Sequence, residues 1–262
     1  MTMSEYQRNA YGRPGVSGAS VPSASIDQGL RSYMLSVYNY MSLGLAITGF
    51  AAIGAFMLAV TSDPSAAVAT ARGMHLTSFG YALFASPLKW VVLLAPLGMV
   101  FFLSARIHKM SAASGQIAFY VFAALMGLSL SSIFLVYTGA SIGRVFFITA
   151  AAFGALSLWG YTTKRDLSGM GSFLVMGLFG IIIASLVNLF LGSTMVQFVV
   201  SVLGVLIFSG LTAYDTQRIK EMYYALDDSD TMGRKAILGA LSLYLDFINL
   251  FTMLLSLFGN RE

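Results

Sequence analysis

Seven long apolar stretches, nearly free of charge, restrict this chain to very few folds: about 34–60, 87–105, 115–137, 145–163, 171–191, 195–214 and 237–258. Each approaches or exceeds the roughly 20 residues a helix needs to cross a bilayer. Inside hydrocarbon the backbone must satisfy its own hydrogen bonds, which leaves helices and closed barrels. Unbroken apolar runs of this length point to helices. The sequence therefore predicts an all-α fold, a polytopic bundle of seven transmembrane helices. With 57% hydrophobic and only 10% charged residues among 262, too little polar surface is left for a soluble enzyme of this size. The fifth and sixth stretches are divided only by Leu191-Gly192-Ser193-Thr194, which reads either as a tight turn or as a kink in one longer helix.

Residues 1–30 are rich in Ser, Gly and Ala and lack the apolar core of a signal peptide. They are expected to form a disordered polar cytoplasmic tail, leaving 31–262 as the transmembrane domain. The segment 61–86, with Asp63, Pro64, Arg72 and His75 among small residues, reads as an exposed loop with room for an interfacial helix. In the third span Ala123, Gly127 and Ser131 share one helix face, where small side chains let a neighbouring helix approach closely.

Lys and Arg, assigned to alternating ends of the spans, set the orientation. Eleven of the fifteen fall with the N-terminus: Arg8, Arg13, Arg31, Arg106, Lys109, Lys164, Arg165, Arg218, Lys220, Arg234 and Lys235. The opposite end holds Arg72, Lys89, Arg144 and Arg261. Because cytoplasmic loops keep positive charge, the N-terminus is expected in the cytoplasm and the C-terminus outside. The net charge of +4 follows this topology rather than a basic arm, so nucleic acid is not an expected partner.

Most enzyme chemistries lack their residues. There is no cysteine. His75 and His108 lie in loops without a second ligand at metal-binding spacing. Ser129, Ser131 and Ser132 have no intramembrane histidine to act as base, and no glycine-rich phosphate loop with its Lys is present. No catalytic residue and no cofactor is expected.

The acidic residues lie in tails and loops except for two, Asp215 and Asp246. Asp246 sits in the middle of LSLYLDFINLFTMLLSLF, where a carboxylate costs on the order of 3 kcal/mol on insertion scales. Asp215 closes the sixth span in VLIFSGLTAYDTQRIK, and a short acidic loop returns the chain into the seventh, so the two helices should be antiparallel neighbours. With the boundaries above, Asp246 lies about 14 Å along its helix while Asp215 lies near the end of its own. The two meet only if the helices run past those boundaries, which the amphipathic continuation Thr216 to Met222 permits. Two carboxylates meeting in a low-dielectric site cannot both ionise cheaply and would share a proton. Otherwise each bonds a neighbouring backbone, with Ser242 and Asn249 beside Asp246 on the same helix face. Arg106, ending the second span in FFLSARIHK, reads as a boundary anchor or as a cation within reach of a carboxylate. A two-carboxylate intramembrane protease is the competing class, but Asp246 follows Tyr244-Leu245 rather than a Gly-x-Gly-Asp setting.

FSGLTAYDTQRIK and LSLYLDFINLF resemble segments of the Bax inhibitor-1 family, as do GLSLSSIFLVYTGASI (127–142) and FFITAAAFGALSLWGYTTKRDLS (146–168). The resemblance runs from about residue 30 to the C-terminus. It implies a seven-helix fold with a central, apolar last helix, and a pH-sensitive calcium leak; in animals the family is associated with suppression of cell death. It also implies that the carboxylates matching Asp215 and Asp246 form a hydrogen-bonded pair that senses pH and meets the permeant Ca²⁺, with the Arg matching Arg106 pairing with the first. The implied partners are the lipid bilayer, Ca²⁺ and protons; for bacterial members, the inner membrane and a regulatory role on a membrane quality-control protease are the alternatives it allows. Some members carry an acidic residue inside the second helix, where WVVLLAPLGMVFFLSA (90–105) has none.

Overall fold

The computed structural model describes residues 23–261. Seven long helices carry the fold: α1 (Ser23–Ala59), α2 (Leu88–Arg106), α3 (Ala112–Leu130), α4 (Gly139–Thr162), α5 (Ser168–Leu191), α6 (Thr194–Glu221) and α7 (Ser229–Phe258). All seven are long and apolar enough to cross a membrane. Their loops divide into an amino end, with the α2–α3, α4–α5 and α6–α7 connections, and a carboxyl end with the rest.

The break between the fifth and sixth spans is a true turn. Gly192 closes α5 in the left-handed region at φ 62°, a conformation that glycine adopts without a Cβ penalty. Ser193 then caps α6, its hydroxyl accepting from the Val196 N–H at 3.3 Å. Two residues thus reverse the chain, where a kink would have kept one helix.

Two expectations need correction. First, α1 begins at Ser23, inside the segment read as a polar tail; the rest of that tail lies outside the described residues. Tertiary packing explains the extension: Gly29 abuts the Tyr223 hydroxyl in the α6–α7 loop, and the Tyr33 and Tyr223 rings lie 5.7 Å apart. Second, the segment after α1 folds into a three-stranded antiparallel sheet, β1 (Val60–Thr61), β2 (Ala69–Ala71) and β3 (Met74–Leu76), in the order β1-β3-β2. Strands of two or three residues are too short for an alternating pattern to show. A helical turn from Ser78 to Ala85 then leads into α2.

The last helix is the core of the bundle. In α7, 67% of the apolar stretch is buried, against 11% in α5. It packs on α1, α3, α4 and α6, while α2 rests chiefly on α3 and α5 on α6. Tyr244 packs edge-on against Phe119 and Phe122, and Phe247 against Phe146 and Phe153. The outer faces of α2 and α5 present Val91, Leu94, Phe101, Phe179, Ile183 and Phe190 to the surroundings, a belt suited to lipid. The small-residue seam of α3 is a helix contact with α1: a Cβ on Gly127 would stand 2.5 Å from the Thr48 carbonyl, and the Thr48 hydroxyl donates to the Ala123 carbonyl at 2.8 Å.

At the amino end the acidic loop into α7 is structural. Asp227 pairs with Lys235 at 2.5 Å and Asp230 with Arg234 at 2.7 Å, while Asp230 also accepts from the first N–H of α3. Asp228 caps α7, and hydrogen bonds from the Thr231 N–H and hydroxyl hold its carboxyl below the usual range. A depressed value means stabilisation that is complete above the unfolded pKa of about 3.9 and is lost as pH falls through the lower folded value. The Tm advantage of the native chain over Asp228→Asn is therefore expected to shrink on acidification below about pH 4. A difference that stays constant with pH would show that the charge has no role in the cap.

Candidate functional site

The α6–α7 contact places both intramembrane acids. Two glycines set its register, because each admits a side chain of the other helix. A Cβ on Gly239 would lie 2.9 Å from Ile219, and one on Gly204 would lie 2.8 Å from Met253. In this antiparallel register Asp215 stands level with Leu243 and Asp246 with Thr212. The acids are therefore separated by one turn, about 4.5 Å along the axes. Asp215 shares the α6 stripe of Gly204, Phe208, Leu211 and Ile219, all buried. Asp246 shares the α7 stripe of Gly239, Leu243 and Leu250.

This resolves the depth mismatch. α6 does not end at Asp215; it runs on to Glu221, so Asp215 lies inside the bundle. Helix α7 begins at Ser229, well before Ile237, so its first turns form the amino-end cap and Asp246 lies deep in the molecule. The two acids thus face each other one turn apart, and the hydrogen-bonded pair that the resemblance implies is not formed at the Asp246 Oδ2, which has no partner among the described residues.

Their surroundings are unequal. Asp246 is only 5% exposed, and no hydrogen-bond donor of the protein reaches its Oδ2. The other buried atom in this condition among the described residues is the Tyr33 hydroxyl. Asp215 is half-buried. Nearby hydroxyls are engaged elsewhere. Thr212 donates to the Phe208 carbonyl at 2.8 Å, and Thr216 donates to Thr212 at 2.7 Å while meeting Ser157 at 2.9 Å. Ser157 in turn lies 2.5 Å from the Tyr38 hydroxyl, which ties α1, α4 and α6 together. The Asn249 amide donates to the Leu245 carbonyl rather than to Asp246. A buried polar atom left without a partner costs about 1–3 kcal/mol, so this oxygen lowers the stability of the bundle.

Arg106 does not join the pair. It is exposed at the end of α2, and among the described residues the ion pairs are Asp227–Lys235 and Asp230–Arg234 alone. On its own helix the next cation after Asp215 is Arg218, one turn further along α6 and exposed. Its signal was present in the sequence as the i, i+3 spacing of Y-D-T-Q-R. Beyond it, Gln217 clamps the α4–α5 loop, accepting from the Leu167 N–H and donating to the Arg165 carbonyl, both at 2.8 Å. Lys220 donates to the Tyr161 carbonyl at 2.9 Å and lies over that ring. The last turns of α6, at the amino end of the bundle, are thus pinned to their neighbours around Asp215.

As a metal site the pair is sparse. Ca²⁺ takes six to eight oxygens, and among the described residues no group of three or more His, Cys, Asp or Glu gathers to hold an ion. Two acids suit brief contact with a cation better than retention of one.

The sequence profile of the family described as "Inhibitor of apoptosis-promoting Bax1" matches residues 30–262. The chain is 49% identical to the inner membrane protein YbhL of Escherichia coli K12 over 237 residues, covering 89% of this chain and 94% of that one. It is 46% identical to an uncharacterized protein of Rickettsia prowazekii, covering 91% and 93%. An uncharacterized membrane protein of Streptococcus pyogenes is 36% identical, covering 90% and 96%.

Proposed function

The chain belongs to the Bax inhibitor family of integral, multi-pass membrane proteins, and from the acids at its centre we propose that it is a pH-sensitive calcium leak gated by Asp215 and Asp246. The carrying observation is the buried, unpartnered Oδ2 of Asp246 on a helix face one turn from the level of Asp215. A carboxylate oxygen in that position has two ways to be satisfied, a proton or a cation. Protonation removes the repulsion between the acids and lets α6 and α7 close on each other. Ionisation leaves two hard oxygen ligands of the kind calcium prefers. Proton and cation then compete for one site, and helix packing follows the occupant.

In this proposal Asp215 and Asp246 are both the pH sensor and the transient metal ligands. Arg218 is the next cation on α6, and Arg106 anchors the end of α2. The amino end faces the cytoplasm, as the distribution of Lys and Arg implies, and the inner-membrane setting is taken from YbhL.

The test is Ca²⁺ entry into proteoliposomes across external pH. Asp215→Asn is expected to abolish the pH dependence. Flux in that variant matching the wild type at every pH would sink the proposal. No leak in any form would leave the acids structural and shift the reading to a regulator of a membrane partner such as a quality-control protease.

A further inference from the structure

A second polar feature lies at the opposite end of the bundle, away from the acid pair. A cavity of about 330 Å³ opens between the β2–β3 hairpin, the start of α2 and the end of α3. Arg72 and Lys89 line it together with Trp90 and Leu93 and the hydroxyl-bearing Ser129 and Ser132. We propose that this cavity binds the headgroup of an anionic phospholipid in the adjoining leaflet, with the phosphate between Arg72 and Lys89 and an acyl chain along Trp90 and Leu93.

Three independent observations call for an anion there. First, no carboxylate answers the two cations: neither takes part in an ion pair among the described residues, and the Asp63 carboxylate accepts instead from the N–H and hydroxyl of Ser65. Second, Lys89 is the second residue of α2, where the helix dipole presents positive charge and disfavours a cation without a counter-ion. Third, Arg72 occupies the tip of a two-residue hairpin turn at φ 49°, followed by Gly73 at φ 81°. Such turns favour Asn or Asp before Gly, and left-handed backbone is unfavourable for other residues because their Cβ crowds the following carbonyl oxygen. A long cation is held in this strained position, over the cavity, at the end of the molecule that has few cations.

The lining also selects the ligand. Two cations and two hydroxyls join an otherwise apolar lining, which fits an amphiphile rather than a free ion. Trp90 is 53% exposed, with the Lys89 ammonium 5.4 Å from its ring centroid, an arrangement of the membrane–water boundary.

The chain has two tryptophans, and Trp159 lies near the amino end of the bundle. A Trp159→Phe background therefore reports on Trp90 alone. In mixed vesicles, brominated phosphatidylglycerol is expected to quench Trp90 in preference to brominated phosphatidylcholine by on the order of tenfold, as two interfacial cations imply. Arg72→Asn with Lys89→Gln should erase the preference, and Arg72→Asn alone should reduce it while improving the turn, so a folding defect is not the cause. Arg261→Gln, a cation at the same end outside the cavity, should leave it intact. Equal quenching by both lipids in the parent protein, or a preference surviving in the double variant, would overturn the proposal. Relief of the quenching by soluble inorganic phosphate would overturn it in favour of a free-anion site.

Discussion

Replacing Asp246 by valine is expected to raise thermal stability by about 1–3 kcal/mol and to remove the pH dependence of calcium flux. Valine exceeds aspartate by about one methylene and suits the apolar stripe formed by Leu243 and Leu250. It eliminates an oxygen that is buried with no donor. Structural residues do not behave in this way; removing one destabilises. A gain in stability coupled to a loss of function is the signature of a site kept unsatisfied for its task. Thermal unfolding in detergent, beside flux in proteoliposomes, checks both halves. A destabilised Asp246→Val would show that the carboxylate has a structural partner.

Gly160→Val carries the other large effect. A Cβ at Gly160 would collide with the carbonyl of Ala213, and a backbone atom cannot rotate away as a side-chain tip does. Helix α4 must then withdraw from α6 just where Ser157 meets Thr216, one residue from Asp215. A destabilisation on the order of 3 kcal/mol or loss of the folded protein is expected, measured as a fall in Tm and in monodisperse yield. Gly154 sits six residues earlier on α4 with open space around it, so Gly154→Ala should be neutral or stabilising by up to about 1 kcal/mol. Similar outcomes for the two substitutions would mean that the α4–α6 approach is not as close as described.

Much of this architecture was written in the sequence, because a bilayer imposes a single length scale and forbids charge. The seven spans, the antiparallel last pair and the small-residue face of α3 follow from those constraints. Asp246 stood out for the same reason: a carboxylate in the middle of an apolar helix has no inexpensive explanation. The relative depth of Asp215 and Asp246 was less legible, because it depends on where α6 ends and on register. The amphipathic run Thr216 to Glu221 stays helical, with Gln217 bonded to the α4–α5 loop and Lys220 to the last turn of α4. The register is set by the two glycines Gly204 and Gly239, whose importance appears only once Met253 and Ile219 are seen against them. The β-sheet was invisible because its strands hold two or three residues each. Arg106 is the one cation that the sequence offers to Asp215 as an expectation; it is exposed at the end of α2 and takes part in no ion pair among the described residues, while Arg218, absent from that expectation, follows Asp215 by three residues on the same helix.

The coupling of the two acids is tested most directly by infrared difference spectroscopy of the protonated carboxyl band across pH. The band that disappears in Asp246→Asn belongs to Asp246, and its titration should move when Asp215 is changed to Asn. A band whose titration is unaffected by Asp215→Asn would show that the two carboxylates act independently and would contradict the gate built on them.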